Sequence, residues 1–213
     1  MSKGKLYIIS GPSGAGKDTV LTELFALAPE INLSKSYITR PKRAGDDQKP
    51  KYCFISKEEF LEKLQAGEFL EYNEYQGNYY GTPKTPIIES IDSGKDIVLE
   101  IDINGAHKVK EQMPDAIGIF IAPPSFAVLK ERLCGRSSES EEQVRGRLDR
   151  AVEEMKHAVE YDYLVVNQQN MAKECAQRIS DIILGKNENK QDSEILKTNL
   201  IKEVIKDVES VNW

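Results

Sequence analysis

Near the N-terminus, "GPSGAGK" (residues 11–17) sets three glycines and a lysine in the spacing G-x-x-x-x-G-K. Glycine permits backbone turns that a Cβ would block. The loop Gly11, Pro12, Ser13, Gly14, Ala15, Gly16 can therefore turn its N–H groups inward, and the positive end of a following helix adds to its pull on an anion. Lys17 reaches terminal phosphates. The flanks agree: "KLYIIS" (5–10) reads as a buried strand, and "KDTVLTELFALAP" puts Val20, Leu21, Leu24, Phe25 and Leu27 at helical spacing, with Pro29 as the stop. The chemistry expected is capture of a nucleotide's phosphates. The usual pattern continues with Ser or Thr, whose hydroxyl ligates magnesium, but this chain has Asp18. A carboxylate is also an oxygen ligand for that ion. Thr19 brings a hydroxyl one residue later, turned about 100° around the helix.

A second group of residues suits a second phosphate-bearing molecule. "SYITRPKRAGDD" holds Arg40, Lys42 and Arg43 within four residues, and guanidinium forks bind phosphate in a bidentate way. "FLEYNEYQGNYYGT" adds Glu71, Tyr80 and Thr82, and Tyr52 opens the same lobe. Arginines and tyrosine hydroxyls suit the phosphate of a nucleoside monophosphate, and a carboxylate suits its base. In "DIVLEID" (96–102), Glu100 and Asp102 lie two apart, which on a strand aims them at one face, at the C-terminal end where ligands of parallel α/β sheets bind. Either is placed to orient a magnesium ion or its waters.

The elements that must hold these residues alternate. Apolar runs at 5–10, 96–102, 116–124 and 163–167 read as buried strands separated by helices, which implies a mostly parallel sheet flanked by helices. Ser56 and Glu59 form a capping box ahead of a helix that Gly67 ends, and "QGN" reads as a hairpin turn. Residues 38–82 thus read as a small inserted α+β lobe. Ser125 reads as the N-cap of a further helix. After Gly185 a polar linker leads to "ILKTNLIKEVIKDVESVNW", an amphipathic helix by its i+4 spacing.

Composition narrows the classes. The net charge of −6 argues against general nucleic-acid binding. No apolar stretch is long enough for a membrane span, and the N-terminus lacks a secretory signal, so cytoplasmic location is the default. Three spaced cysteines make neither a disulfide framework nor a zinc pattern. Monomer and homodimer both stay open.

The chain resembles a guanylate kinase. The resemblance rests on "GPSGAGK" (11–17), "TRPKRAGD" (39–46), Tyr52, "GEFLEYNEYQGNYYGT" (67–82), "LEIDINGA" (99–106), "FIAPPS" (120–125) and "RLCGRSSESEEQVRGRL" (132–148), in family order over roughly residues 5–186. It implies a P-loop NTPase-type core (1–37, 83–127 and 157–186), a GMP-binding lobe (38–82), a helical lid with its following helix (128–156), and a linker with a C-terminal helix (187–213) outside the resemblance. It implies ATP and GMP as substrates, dGMP as a further acceptor, and magnesium as cofactor. Residues 11–19 would hold ATP phosphates with Arg132 and Arg136. Ser36, Arg40, Arg43, Tyr52 and Tyr80 would contact the GMP phosphate, with Arg147 joining from behind the lid. Glu71 would accept from guanine N1–H and the exocyclic amine, with Thr82, Glu100 and Asp102 on the base side. Lys17, Arg40, Arg136 and Arg147 would carry the catalytic charge. Asp18, and Asp102 through water, are the candidate metal ligands.

Within that resemblance the acidic "SSESEE" becomes a closing lid; alone it reads as a helix laced with i,i+4 ion pairs. Asp18 stands where the general loop has a hydroxyl, and Asp46 where relatives often have Glu. Two alternatives remain at this level: a kinase for another small phosphoacceptor, and a non-catalytic module that binds phosphopeptides in the GMP lobe. Such modules commonly lack a complete phosphate loop, whereas this chain keeps Lys17 and its glycines.

Overall fold

The structure, a computed structural model, describes residues 3–43, 46, 51–134, 141–186, 198–199 and 202–203. It divides into two compact units, Met1–Ile8 with Glu30–Ala116, and Ile9–Pro29 with Ile117–Trp213. The division falls inside the first strand, β1 (Leu6–Ser10), all five residues of which are buried.

The first unit contains β2 (Asn32–Leu33), β3 (Ser36–Ile38), β4 (Tyr52–Phe54), α2 (Lys57–Gln65), β5 (Phe69–Tyr75), β6 (Asn78–Pro83), α3 (Lys84–Asp92), β7 (Ile97–Glu100) and α4 (Ile103–Gln112). The order β2-β7-β1 makes one layer, in which β2 and β7 run parallel, and β4-β3-β6-β5 makes a second sheet. Buried on both faces, Ile97, Val98 and Leu99 form a continuous apolar run, as parallel strands require. The second sheet is the inserted lobe. Its β5–β6 hairpin closes through Gln76 and Gly77, both with positive φ (51° and 73°), which is the twist that a two-residue hairpin loop demands. The "QGN" turn expected from sequence is therefore present. Ser56 caps α2 by accepting from Glu59 N at 3.1 Å, again as expected. The sequence reading missed β4, a three-residue strand parallel to β3, because a polar Pro- and Gly-bearing stretch precedes it.

Phe60 of α2 anchors the lobe. It is fully buried and stacks on Phe69 (4.5 Å between centroids) and on Tyr79 (5.3 Å). Such pairs add stabilisation beyond their buried area.

The second unit contains α1 (Lys17–Leu27), β8 (Ile117–Ala122), α5 (Phe126–Cys134), α6 (Glu141–Lys156), β9 (Tyr163–Val166) and α7 (Ala172–Ile183). Here β8 lies between β1 and β9, and β8 runs parallel to β9. Helices α1 and α7 pack together, and Phe126, Leu129, Leu133, Leu148, Ala151 and Val152 form the core between α5 and α6. Ser125 caps α5 through Val128 N (3.3 Å). Cys175, buried in α7, has its thiol pushed up to about 12 by burial. Most of the expected C-terminal helix lies outside the described residues. The four described there, Thr198, Asn199, Lys202 and Glu203, are helical and exposed.

One local expectation is corrected. Glu100 ends β7, but Asp102 is not on that strand: it is the N-cap of α4, with Oδ1 accepting from Gly105 N at 2.8 Å. The short polar side chain satisfies an orphan helix donor, and that need ends the strand two residues earlier than the apolar pattern implied.

Phe60→Ala should cost about 3–5 kcal/mol, the scale for removing a buried aromatic. Urea unfolding would measure it; a loss under about 1 kcal/mol would show that the stack is not the lobe's anchor.

Candidate functional site: an anion loop and a carboxylate-lined cavity

In the second unit, the glycine loop leads directly into α1. Gly16 is the N-cap of α1 and adopts a left-handed backbone, φ 86°. A Cβ there would lie 2.5 Å from Asn167 Nδ2, and one on Gly11 would lie 2.1 Å from Ile121 O. Both positions therefore require glycine for close approach as well as for conformation. Lys17 Nζ donates to Gly11 O (2.5 Å) and Pro12 O (3.2 Å), so its ammonium lies against the loop. Asp18 and Thr19, exposed in the first turn of α1, stand at its positive end.

Four residues distant in sequence brace this loop. Arg132 Nη1 donates to Ala15 O (3.4 Å), and its Nη2 donates to Asn167 O (3.0 Å). Burial lowers the Arg132 pKa. Asn167 Nδ2 donates to Ala15 O (2.8 Å). Arg147 Nη2 donates to Ser13 Oγ (3.2 Å), and Ser13 N donates to Glu154 Oε2 (3.2 Å). Arg132 was expected at the donor end; Arg147 was expected among the GMP-phosphate contacts and catalytic cations, and the structure places its guanidinium on Ser13 of the glycine loop. Asn167 and Glu154 were not singled out, because an Asn after a strand and a Glu on a charged helix carry no periodic signal. Arg136 lies outside the described residues.

In the first unit, a cavity of about 350 Å³ is lined by Ser36, Tyr52, Glu71, Tyr80, Glu100 and Asp102, all expected, among others. Asn73 and Tyr75 line it too. With Glu71 they are alternate residues of β5, so period-two counting from Glu71 would have found them. Thr82, fully buried, donates its hydroxyl to Glu71 Oε1 at 2.6 Å. Burial, and secondarily Asp102, hold the Glu71 carboxyl above its ordinary range; the Thr82 hydroxyl and Lys108 pull the other way. A carboxylate kept in a half-dry cavity gains most from a ligand that offers it donors.

Arg40 differs from a free phosphate fork. It is 9% exposed, and its Nη1 and Nη2 donate to the two oxygens of Asp46 at 2.6 and 3.1 Å. Asp46 Oδ2 also accepts from Arg43 N at 2.6 Å. The Arg40 hydrogen bond, then the Arg43 amide, hold the Asp46 carboxyl far below the usual range, and Asp46 raises the Arg40 pKa. The guanidinium also lies over the rings of Tyr52 and Phe54, at 5.7 and 5.4 Å. The Arg43 side chain is exposed. Neither arginine is among the lining residues of the cavity.

A glycine loop opening a helix beside parallel strands is the phosphate-binding arrangement of P-loop proteins. The sequence model of guanylate kinase matches residues 3–184. A guanylate kinase of Trichodesmium erythraeum is 45% identical over 167 residues, covering 78% of this chain and 90% of the relative. One from Streptococcus mutans is 46% identical over 182 residues, covering 85% and 86%. The crystal structure of guanylate kinase from Anaplasma phagocytophilum superposes with a TM-score of 0.69 at 33% identity, over 94% of this chain and 97% of that one. The chain belongs to the guanylate kinase family.

The raised Glu71 pKa has a stability consequence. The folded chain holds that proton more tightly than the unfolded one, so this contribution is fully present below the unfolded value of 4.5 and is lost as pH rises through the raised folded value. Glu71→Gln keeps an acceptor for Thr82 and removes the titration. In thermal melts between about pH 4 and pH 7, the variant should gain on the wild type as pH rises; parallel curves would refute the burial of that charge.

Proposed function

We propose that this protein transfers the γ-phosphoryl group of ATP to GMP, giving ADP and GDP. The observation that carries this reading is Glu71: a half-buried carboxylate, oriented by Thr82, in a cavity that also offers the Tyr52 and Tyr80 side chains. Guanine presents N1–H and an exocyclic amine to such an acceptor. Adenine has no matching donor pair and would leave the carboxylate unpaired, a strong basis for rejection. Ser36, Tyr52 and Tyr80, with Arg40 and Arg43, are read as the phosphate contacts, and Glu100 and Asp102 as further groups on the base side.

At the donor loop, amides at the N-terminal end of α1, Gly14 and Gly16 among them, hold the triphosphate, and Lys17 moves from its carbonyl contacts to the terminal phosphates. An oxygen of the GMP phosphate forms the new bond to the γ-phosphorus as the bond to the β-phosphate oxygen breaks, and ADP leaves with that electron pair. No nucleophilic side chain is required, because positioning and charge neutralisation supply most of the acceleration. Lys17, Arg147 and Arg136 are read as the neutralising cations, with Arg132 on the ATP side. We read residues 38–82 as the acceptor lobe and 128–156 as the lid segment.

The carboxylates fit magnesium as hard-oxygen ligands: Asp18, exposed beside Lys17, is read as a direct ligand, and Asp102, whose Oδ1 caps α4, as one acting through water. Such an ion would supply charge neutralisation for the transferring phosphoryl group. Free cysteines at 53, 134 and 175 fit work in the reducing cytoplasm. Among the described residues no helix is long and apolar enough to cross a membrane.

A coupled ADP-release assay with GMP, dGMP, AMP, UMP and CMP tests the reading: GMP should be turned over far faster than AMP or the pyrimidines. Turnover of AMP at the GMP rate would overturn it. Lys17→Ala should abolish transfer while the melting transition is retained; full activity would remove the loop from the mechanism. Glu71→Gln should weaken GMP use by about 1–3 kcal/mol, the scale for impairing a buried hydrogen bond. Unchanged GMP use would place base reading elsewhere.

A further inference from the structure

The cavity wall contains Glu71, Glu100 and Asp102, three carboxylates around a space of about 350 Å³. Like charges crowded in this way repel, and a buried carboxylate without a partner is costly. Lys51 answers that cost at one of the three. Its Nζ lies 2.8 Å from Glu100 Oε2, and both side chains are largely buried, 17% and 13% exposed. The ammonium also lies over the Tyr52 ring, 5.4 Å from its centroid. The Lys51 main chain meets the cavity by a second route: its carbonyl accepts from Ser36 N at 2.9 Å. Lys51 itself is not among the lining residues. One residue thus supports Ser36 through its backbone and Glu100 through its side chain.

Resting on the reading of this cavity as the GMP site, we propose that Lys51 is a positioning residue for acceptor binding. Its ammonium fixes Glu100 in the wall and cancels its charge, so that Glu71 reads the base without a third uncompensated carboxylate beside it. The effect belongs to the side chain, because the Ser36 contact is made by backbone and survives substitution.

Steady-state kinetics of four variants tests this. Lys51→Met should raise the KM for GMP at least about tenfold, since losing one partner of a largely buried ion pair leaves an uncompensated charge, with little change in kcat or in the KM for ATP. Lys51→Arg should restore most of the GMP affinity. Glu100→Gln removes the stranded charge, so Lys51→Met with Glu100→Gln should bind GMP no worse than Glu100→Gln alone; this non-additivity is what a purely structural role would not produce. If Lys51→Met folds poorly in thermal melts, the cycle is closed with Lys51→Gln. A GMP KM within twofold of wild type in the lysine variant, an equal rise in the ATP KM, or effects that multiply independently would each overturn the proposal. Failure of the wild-type protein to phosphorylate GMP would instead sink the functional reading, and the same assay separates the two.

Discussion

The left-handed turn at Gly16 decides what the glycine loop can be. With φ at 86° and no Cβ, the chain leaves β1, curls, and enters α1 within a few residues. Any side chain there would meet Asn167, which is itself bonded to the Ala15 carbonyl. The loop is thus shaped from both sides, by backbone permission at the glycines and by braces from Arg132, Asn167 and Arg147. The braces take up the Ala15 carbonyl and the Ser13 hydroxyl, and Lys17 takes the carbonyls of Gly11 and Pro12. Ser13 N donates to Glu154 and Ala15 N to Pro12 O, which points to the Gly14 and Gly16 amides, near the positive end of α1, as groups suited to an anion.

Much of the fold was legible because its signals are local. The apolar runs of β1, β7, β8 and β9, the Ser56 cap, the Gln76–Gly77 turn and the G-x-x-x-x-G-K spacing each rest on a few adjacent residues. β4 was not legible, since three residues after a polar stretch give no period. Asp102 misled because alternation along a strand and capping of a helix both call for a polar residue at that position. Only the geometry at Gly105 N decides between them.

The site divides in the same way. Residue types pointed to Lys17, Glu71, Tyr52, Tyr80 and Glu100, and the structure puts the last four in one cavity with Ser36 and Asp102. What sequence could not supply were pairings across long separations: Lys51 with Glu100, Asn167 with Ala15, Glu154 with Ser13. These depend on where strands and helices return in space. Arg40 with Asp46 was close enough in sequence to suspect, yet the expectation treated Arg40 as a bare phosphate ligand.

That Arg40–Asp46 pair bears on how the acceptor responds to its ionic surroundings. Its guanidinium has already shed water and already faces an anion. A phosphate that takes Arg40 replaces one negative partner by another, in place of collecting a cation from bulk solvent. Were the GMP phosphate to take Arg40, as proposed above, few counterions would be released at this contact, and its share of the affinity should depend only weakly on ionic strength. The exposed Arg43 stands in the opposite condition, so whatever salt sensitivity the arginine pair contributes should come mostly from its outer member.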